Sequence, residues 1–350
     1  MIGSGCGRAA MRRVVCVLAV LLWSVLSTAE ERAAVQAPGL GLEVDLVLDD
    51  ETEDYFIGRI SSVVEDSRGD IYIADPSQES VLRFSAGGDF IGMLGTAGSG
   101  PGTIMPQFAL AVSRDDRFYL TGQGGRVEIL DAAWHSLVSL GRENPASSAR
   151  GIAVFPDGGF AVAAAGQSTD TTVDLYGPDG SFRQSVSRAF TFDKGYPRRI
   201  ERPFVGGAIA IGPSGKLYYA QMAPYLVRVF SQSAGQIDST TVGGDEFVGY
   251  PDEPVMDGDS IAYRMSSRTS GIVVLDDGTV LVSAFQVESE ETGKALYCAY
   301  DEDLEFLGSV EDPHLSWLVG KGRGNKAYLR AIGETGHPVL RAALTFTAAE

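Results

Sequence analysis

Val63-Val64-Glu65-Asp66-Ser67-Arg68-Gly69-Asp70-Ile71-Tyr72-Ile73 is an apolar strand, a polar turn and a second strand built on a large apolar residue. The same construction returns at Ile152-Ala153-Val154-Phe155-Pro156-Asp157-Gly158-Gly159-Phe160-Ala161-Val162. It returns again at Ile272-Val273-Val274-Leu275-Asp276-Asp277-Gly278-Thr279-Val280-Leu281-Val282. Six positions carry the central apolar residue: Ile71, Phe118, Phe160, Leu217, Val280 and Ala327. Their successive spacings are 47, 42, 57, 63 and 47 residues. A repeat of about 40–50 residues made only of strands is the period of a β-propeller blade. The excess in the third and fourth intervals is loop insertion.

Each unit has a second half. Val81-Leu82-Arg83-Phe84, Val127-Glu128-Ile129-Leu130, Val173-Asp174-Leu175-Tyr176, Val227-Arg228-Val229-Phe230 and Leu296 to Tyr300 read as half-buried third strands. Outer strands such as Phe90 to Leu94 follow. The last unit ends on its third strand, Val339 to Phe346, while a spare strand, Leu42 to Leu48, stands near the N-terminus. Pairing these two removes two open edges. The expected fold is therefore all-β: a six-bladed propeller over residues 42–350, with four-stranded antiparallel blades, the last closed by the N-terminal strand.

The first unit resembles the NHL-repeat propellers. The resemblance rests on Ile71-Tyr72-Ile73-Ala74-Asp75, Val81-Leu82-Arg83-Phe84 and Gly95-Thr96-Ala97-Gly98-Ser99-Gly100-Pro101-Gly102-Thr103-Ile104-Met105-Pro106. That family usually has Phe where Ile104 stands and Asn near Gln78. As a motif the likeness covers only about residues 60–106, and it implies a six-bladed propeller.

The start is a targeting segment. Arg12 and Arg13 precede an apolar run from Val14 to Leu26, and small residues Ser27-Thr28-Ala29 follow. This predicts a signal peptide over 1–29 cut after Ala29, a linker over 30–41, and a secreted or periplasmic protein with no transmembrane span once the leader is gone. Cys6 and Cys16 leave with the leader, so Cys298 remains alone as a packed strand residue. Loss of Arg8, Arg12 and Arg13, with no acid among residues 1–29, moves the formal charge from −18 to −21. Such a chain repels polyphosphate, which excludes nucleic acid as a partner.

In a four-stranded blade the second-to-third loops and the crossings between blades share one face. That face carries the insertions: Ala164 to Thr171, Gln221 to Tyr225, Phe285 to Lys294, Ala331 to Pro338, and the crossings Ser187 to Gly207 and Thr241 to Thr269. The first long crossing holds Arg198, Arg199, Arg202 and Tyr196, a basic-aromatic stretch suited to an anionic or glycan ligand. A surface loop neutralising nearby acids has the same composition. Arg59, Arg150 and Arg268 each come just before an inner strand and are expected near the channel mouth. There they would bind an anion or form salt bridges between blades.

Enzymatic readings find little material. The mature chain has two asparagines, Asn144 and Asn325, expected on opposite faces, so the calcium set of propeller lactonases has no usual form here. His314, His337 and Glu334 would make an atypical metal site. Asp301-Glu302-Asp303 fits a turn better than a calcium loop. Gly320-Lys321-Gly322-Arg323-Gly324 lacks phosphate-loop spacing, and no Gly-x-Ser-x-Gly occurs. No motif supports Ca or Zn as a cofactor. The sequence favours a non-enzymatic module that binds a small anionic or glycan ligand or a protein partner at its loop-rich face. A metal-dependent lyase or hydrolase, and a structural interaction protein of the cell envelope, are the alternatives.

Overall fold

The computed structural model describes residues 40–105, 108–122, 125–141, 149–164, 171–188, 206–222, 225–231, 237–240, 255–257, 260–262, 268–287, 293–312, 316–331 and 337–345. Strand β1 (Gly41–Leu48) precedes β2 (Ser62–Glu65), β3 (Ile71–Asp75), β4 (Ser80–Phe84) and β5 (Phe90–Leu94). A sheet of β6 (Ala109–Val112), β7 (Phe118–Thr121), β8 (Val127–Leu130) and β9 (Ser136–Leu140) follows. The next contains β10 (Ala149–Val154), β11 (Phe160–Ala164), β12 (Thr171–Tyr176) and β13 (Phe182–Arg188). Then come β14 (Gly207–Ile211), β15 (Lys216–Gln221), β16 (Leu226–Ser231) and β17 (Ile237–Thr240). The hairpin β18 (Val255–Asp257) and β19 (Ser260–Ala262) leads to β20 (Arg268–Val274), β21 (Val280–Val287), β22 (Gly293–Tyr300) and β23 (Phe306–Asp312). Strands β24 (Trp317–Lys321), β25 (Lys326–Arg330) and β26 (Val339–Thr345) end the chain.

These strands make an all-β propeller of four-stranded blades. Sheet order follows chain order except in one sheet of eight, β1-β26-β25-β24-β2-β3-β4-β5. There β1 runs antiparallel to β26 from Gly41↔Thr345 to Leu48↔Val339, the closing pair expected from sequence. Leu40, expected in the linker, is fully buried and packs with Leu340 and Ala342. The halves β1-β26-β25-β24 and β2–β5 meet at one parallel bridge, Val63↔Gly320.

Burial follows strand position. All five residues of β3 are buried, because a central strand packs on both faces. Outer strand β5 alternates half-buried and exposed. The six central residues are each at most 1% exposed. Apolar clusters straddle successive blades: Tyr72 with Phe118, Tyr119 with Phe160, Phe155 with Tyr219, Tyr218 with Val280, Val273 with Leu329, and Tyr328 with Ile71.

The hairpins joining first to second strands share one constraint. In each, the fourth turn residue is left-handed: Gly69 (φ 89), Asp116 (φ 59), Gly158 (φ 86), Gly215 (φ 81), Gly278 (φ 92) and Asn325 (φ 61). Glycine adopts this without strain, and Asp and Asn tolerate it best among the rest. The two exceptions also tie neighbouring blades. The Ser67 amide donates to Asp116 Oδ1 at 2.7 Å, and the Asp277 amide donates to Asn325 Oδ1 at 3.0 Å.

Several expected boundaries shift. The loop expected from Phe285 to Lys294 begins and ends in strand, since Gln286 pairs with Lys294 and Val287 with Gly293; residues 288–292 lie outside the described residues. Its β-branched and aromatic residues extend the ladder where an insertion was expected. The crossing from Thr241 to Thr269 contains the β18–β19 pair. Arg150 and Arg268 lie inside inner strands β10 and β20 rather than before them.

Candidate functional site

The inner strands β2, β6, β10, β14, β20 and β24 surround a cavity of about 1140 Å³. It has two chemically distinct ends. At the end of the first-to-second hairpins the charges on Asp276, Lys321, Glu65 and Arg323 are held by bonds between blades, while Arg114 lines the same end exposed. Lys321 lies 2.7 Å from Asp276, whose second oxygen accepts the Gly324 amide at 2.8 Å. Burial pushes the Asp276 carboxyl up, but Lys321 and the Gly324 amide outweigh it and hold it below its ordinary value. Glu65 accepts the Arg323 amide at 2.9 Å and the Tyr328 hydroxyl. Burial, then the Glu65 carboxylate, pushes the Tyr328 hydroxyl well up, so it stays a donor. This end ties blades together.

The other end, where inner strands begin, is different. Ser61, Ser62, Met222, Arg268, Phe285 and Trp317 line it. Arg268 opens β20 and pairs across the ladder with Phe285, so its guanidinium lies over that ring, 5.5 Å from the centroid. It is exposed and has no carboxylate partner among the described residues. Trp317 opens β24 and is 50% exposed, although it lines the cavity. Its cross-strand partner Arg330 is committed elsewhere, donating to the Gly58 carbonyl of the next blade. Burial pulls the Arg330 pKa down, and the charges of Asp75 and Asp50 partly restore it.

Buried carboxylates behind this end serve the backbone. Asp75 is 0% exposed and accepts the Gly58 amide at 2.7 Å, the Arg59 amide at 3.1 Å, the Ser77 amide at 2.9 Å and Gln78 Nε2 at 3.0 Å. Burial raises its pKa, and these bonds with the Ser77 hydroxyl more than reverse the rise. Asp312 accepts the Ser316 amide at 2.7 Å and the Tyr297 hydroxyl at 3.3 Å. Burial, then Asp312, drives the Tyr297 hydroxyl well up in pKa.

Of the arginines expected together, only Arg268 is seen lining the cavity. The Arg59 amide binds Asp75, while its exposed side chain lies off the lining. Arg150 sits where the β10–β11 register shifts, between Ala149 and Gly151; its side chain lies outside the described residues. Tyr196, Arg198, Arg199, Arg202, His314 and Glu334 also lie outside them. His337 is exposed, and its amide donates to Asp50 Oδ2 at 2.7 Å. Among the described residues no group of three or more His, Cys, Asp or Glu is placed to hold a metal ion, and no helix is long and apolar enough to cross a membrane. Cys298 is buried, as expected of a packed strand residue. Sequence reasoning missed Trp317. Its signal was present: Ser62, Ala109, Gly151, Ala208 and Gly271 hold the equivalent ladder position in the other inner strands.

No protein-family model and no curated protein matches the chain. Similar solved structures are propellers. A member of the DUF4221 family from Bacteroides vulgatus has 10% identity and TM-score 0.59, covering 89% of this chain and 100% of its own. An exported protein from Bacteroides fragilis has 12% identity and TM-score 0.54, covering 88% and 96%. An inactive virginiamycin B lyase from Staphylococcus aureus with quinupristin has 11% identity and TM-score 0.51, covering 87% and 100%. At these identities the likeness is one of fold.

Proposed function

We propose that this chain is an exported, NHL-like six-bladed propeller that binds a small ligand at the cavity end where its inner strands begin. The six-blade count is supported by division of the eight-stranded sheet at its single parallel bridge into two groups of four. The site reading rests on one observation: Arg268 and Trp317 stand exposed at the rim of a cavity of about 1140 Å³, at whose other end Lys321 pairs with Asp276 and Glu65 is taken up by Arg323 and Tyr328. A concave site with few convergent polar groups is the usual form of a small-molecule site. Export follows from the leader over residues 1–29; N-terminal sequencing of the extracytoplasmic form gives Glu30 as first residue, and Met1 there contradicts it.

A thermal-shift panel of organic anions, glycans and peptides tests the site, with Met222→Trp narrowing the rim. The reading expects ligands that raise Tm of the parent protein and not of the variant. Ligands that shift both equally place binding elsewhere and overturn it.

A further inference from the structure

We infer that the ligand of this rim is an aromatic carboxylate: a flat ring stacked on Trp317 with its anionic group on Arg268. The inference rests on the site reading above and adds the chemical class.

Shape comes first. Counting three positions beyond the central residue of each second strand gives the ladder pairs Ser62↔Ala74, Ala109↔Thr121, Gly151↔Ala163, Ala208↔Ala220, Gly271↔Ser283 and Trp317↔Arg330. At one level of the cavity, five inner strands therefore carry Ser, Ala or Gly and the sixth carries an indole. The small residues leave room beside one large flat surface. The β20 and β24 backbones lie in contact there, since a Cβ on Gly271 would stand 2.4 Å from the Leu318 carbonyl oxygen. Trp317 immediately precedes Leu318, and Arg268 opens the same β20, so both reach one sector of the rim. An exposed indole on a rigid strand is a stacking platform, best matched by another ring at 4.5–7 Å between centroids.

Charge narrows the class. Arg268 is the only ionisable side chain lining this end among the described residues. Its guanidinium keeps an exposed edge for the two-pronged bond a carboxylate accepts. Phe285 beneath it holds the fork in place without consuming its donors. A sugar needs acceptors for its hydroxyls as well as a stacking face. The nearby carboxylates do not supply them: Asp75 and Asp312 are buried and taken up by backbone and side-chain donors. A cationic ring meets Arg268 and no counter-charge. An aromatic anion meets both features offered.

Isothermal titration of the full protein with 2-naphthoate, 2-naphthol and cyclohexanecarboxylate tests this. 2-Naphthoate should bind more tightly than either analogue. Arg268→Gln should weaken 2-naphthoate about tenfold, the scale of a charge-assisted pair, and leave 2-naphthol unchanged. Trp317→Ala should weaken both naphthalenes about three- to tenfold, and Trp317→Phe should recover most of that. Equal binding of cyclohexanecarboxylate and 2-naphthoate, or indifference of 2-naphthoate to Arg268→Gln, overturns the class. If 2-naphthoate fails to bind while another panel ligand binds and is blocked by Met222→Trp, the site stands and the aromatic-carboxylate assignment falls. If no ligand responds to any rim variant, both fall.

Discussion

Gly320→Ala tests whether the first and last inner strands are pressed together as ring closure demands. A Cβ added at Gly320 would stand 2.0 Å from the Val63 carbonyl oxygen, 2.7 Å from its carbonyl carbon and 2.9 Å from its Cβ. Two of these three atoms are backbone, so no side-chain rotation relieves the clash. The parallel bridge Val63↔Gly320 must open or both strands must shift. Overpacking of this kind costs about 1–3 kcal/mol, and a lost backbone hydrogen bond adds about 1 kcal/mol. The expected loss is about 2–4 kcal/mol, read as a lower urea midpoint and a fall in Tm on the order of 5 °C or more. Two controls separate sterics from backbone strain. Gly100 has open space and an ordinary φ, so Gly100→Ala should stay within about 0.5 kcal/mol. Gly324 has open space but φ +65, so Gly324→Ala should lose about 1 kcal/mol from the left-handed backbone alone. A Gly320→Ala protein as stable as the Gly100→Ala control would refute the strand contact.

Asp75 sets an acid limit. Its folded pKa lies below the ordinary 3.8, so the unfolded chain takes up protons first on acidification. Its stabilisation is full above about pH 4 and drains as pH falls through the folded value; Asp75→Asn should flatten that stretch of the stability–pH curve, and an unchanged slope contradicts the assignment. Glu128 is 1% exposed, pairs with Arg126 at 3.0 Å and accepts the Gly102 amide at 3.0 Å. Glu128→Ala strands the Arg126 charge and should cost about 3 kcal/mol, with faster proteolysis near Gly102; a loss under about 1 kcal/mol in urea unfolding counts against it. Asn325 combines a left-handed φ with two bonds to Asp277, so urea midpoints should rank Asn above Gly above Ala at this position; Ala matching Gly would contradict the backbone argument.

The fold was legible because one backbone requirement recurs. Each first hairpin needs a left-handed fourth residue, and glycine there marks the unit in the open. Where Asp116 and Asn325 take that place the motif weakens, yet both residues satisfy the same dihedral and add an inter-blade bond. The N-terminal strand was legible because the last unit lacked an outer strand. The site was harder to read. Arg268 stood out by position, but Trp317 gains meaning only when the inner strands are stacked by ladder register, which a linear scan for charged or histidine-rich clusters does not do. Buried carboxylates such as Asp75 and Glu128 were invisible for a related reason. Ser77 and Gln78 stand close to Asp75 in sequence and Arg126 close to Glu128, but other partners lie far off: 16 and 17 residues for the Arg59 and Gly58 amides on Asp75 and 26 for Gly102 on Glu128.

A crystal structure of the full protein soaked in 2-naphthoate tests the account most directly. It predicts ligand density stacked on Trp317 with the carboxylate on Arg268, at the end of the cavity where the inner strands begin. Density beside Lys321 and Asp276 at the opposite end, or on the outer strands with the Trp317 rim empty, would contradict it.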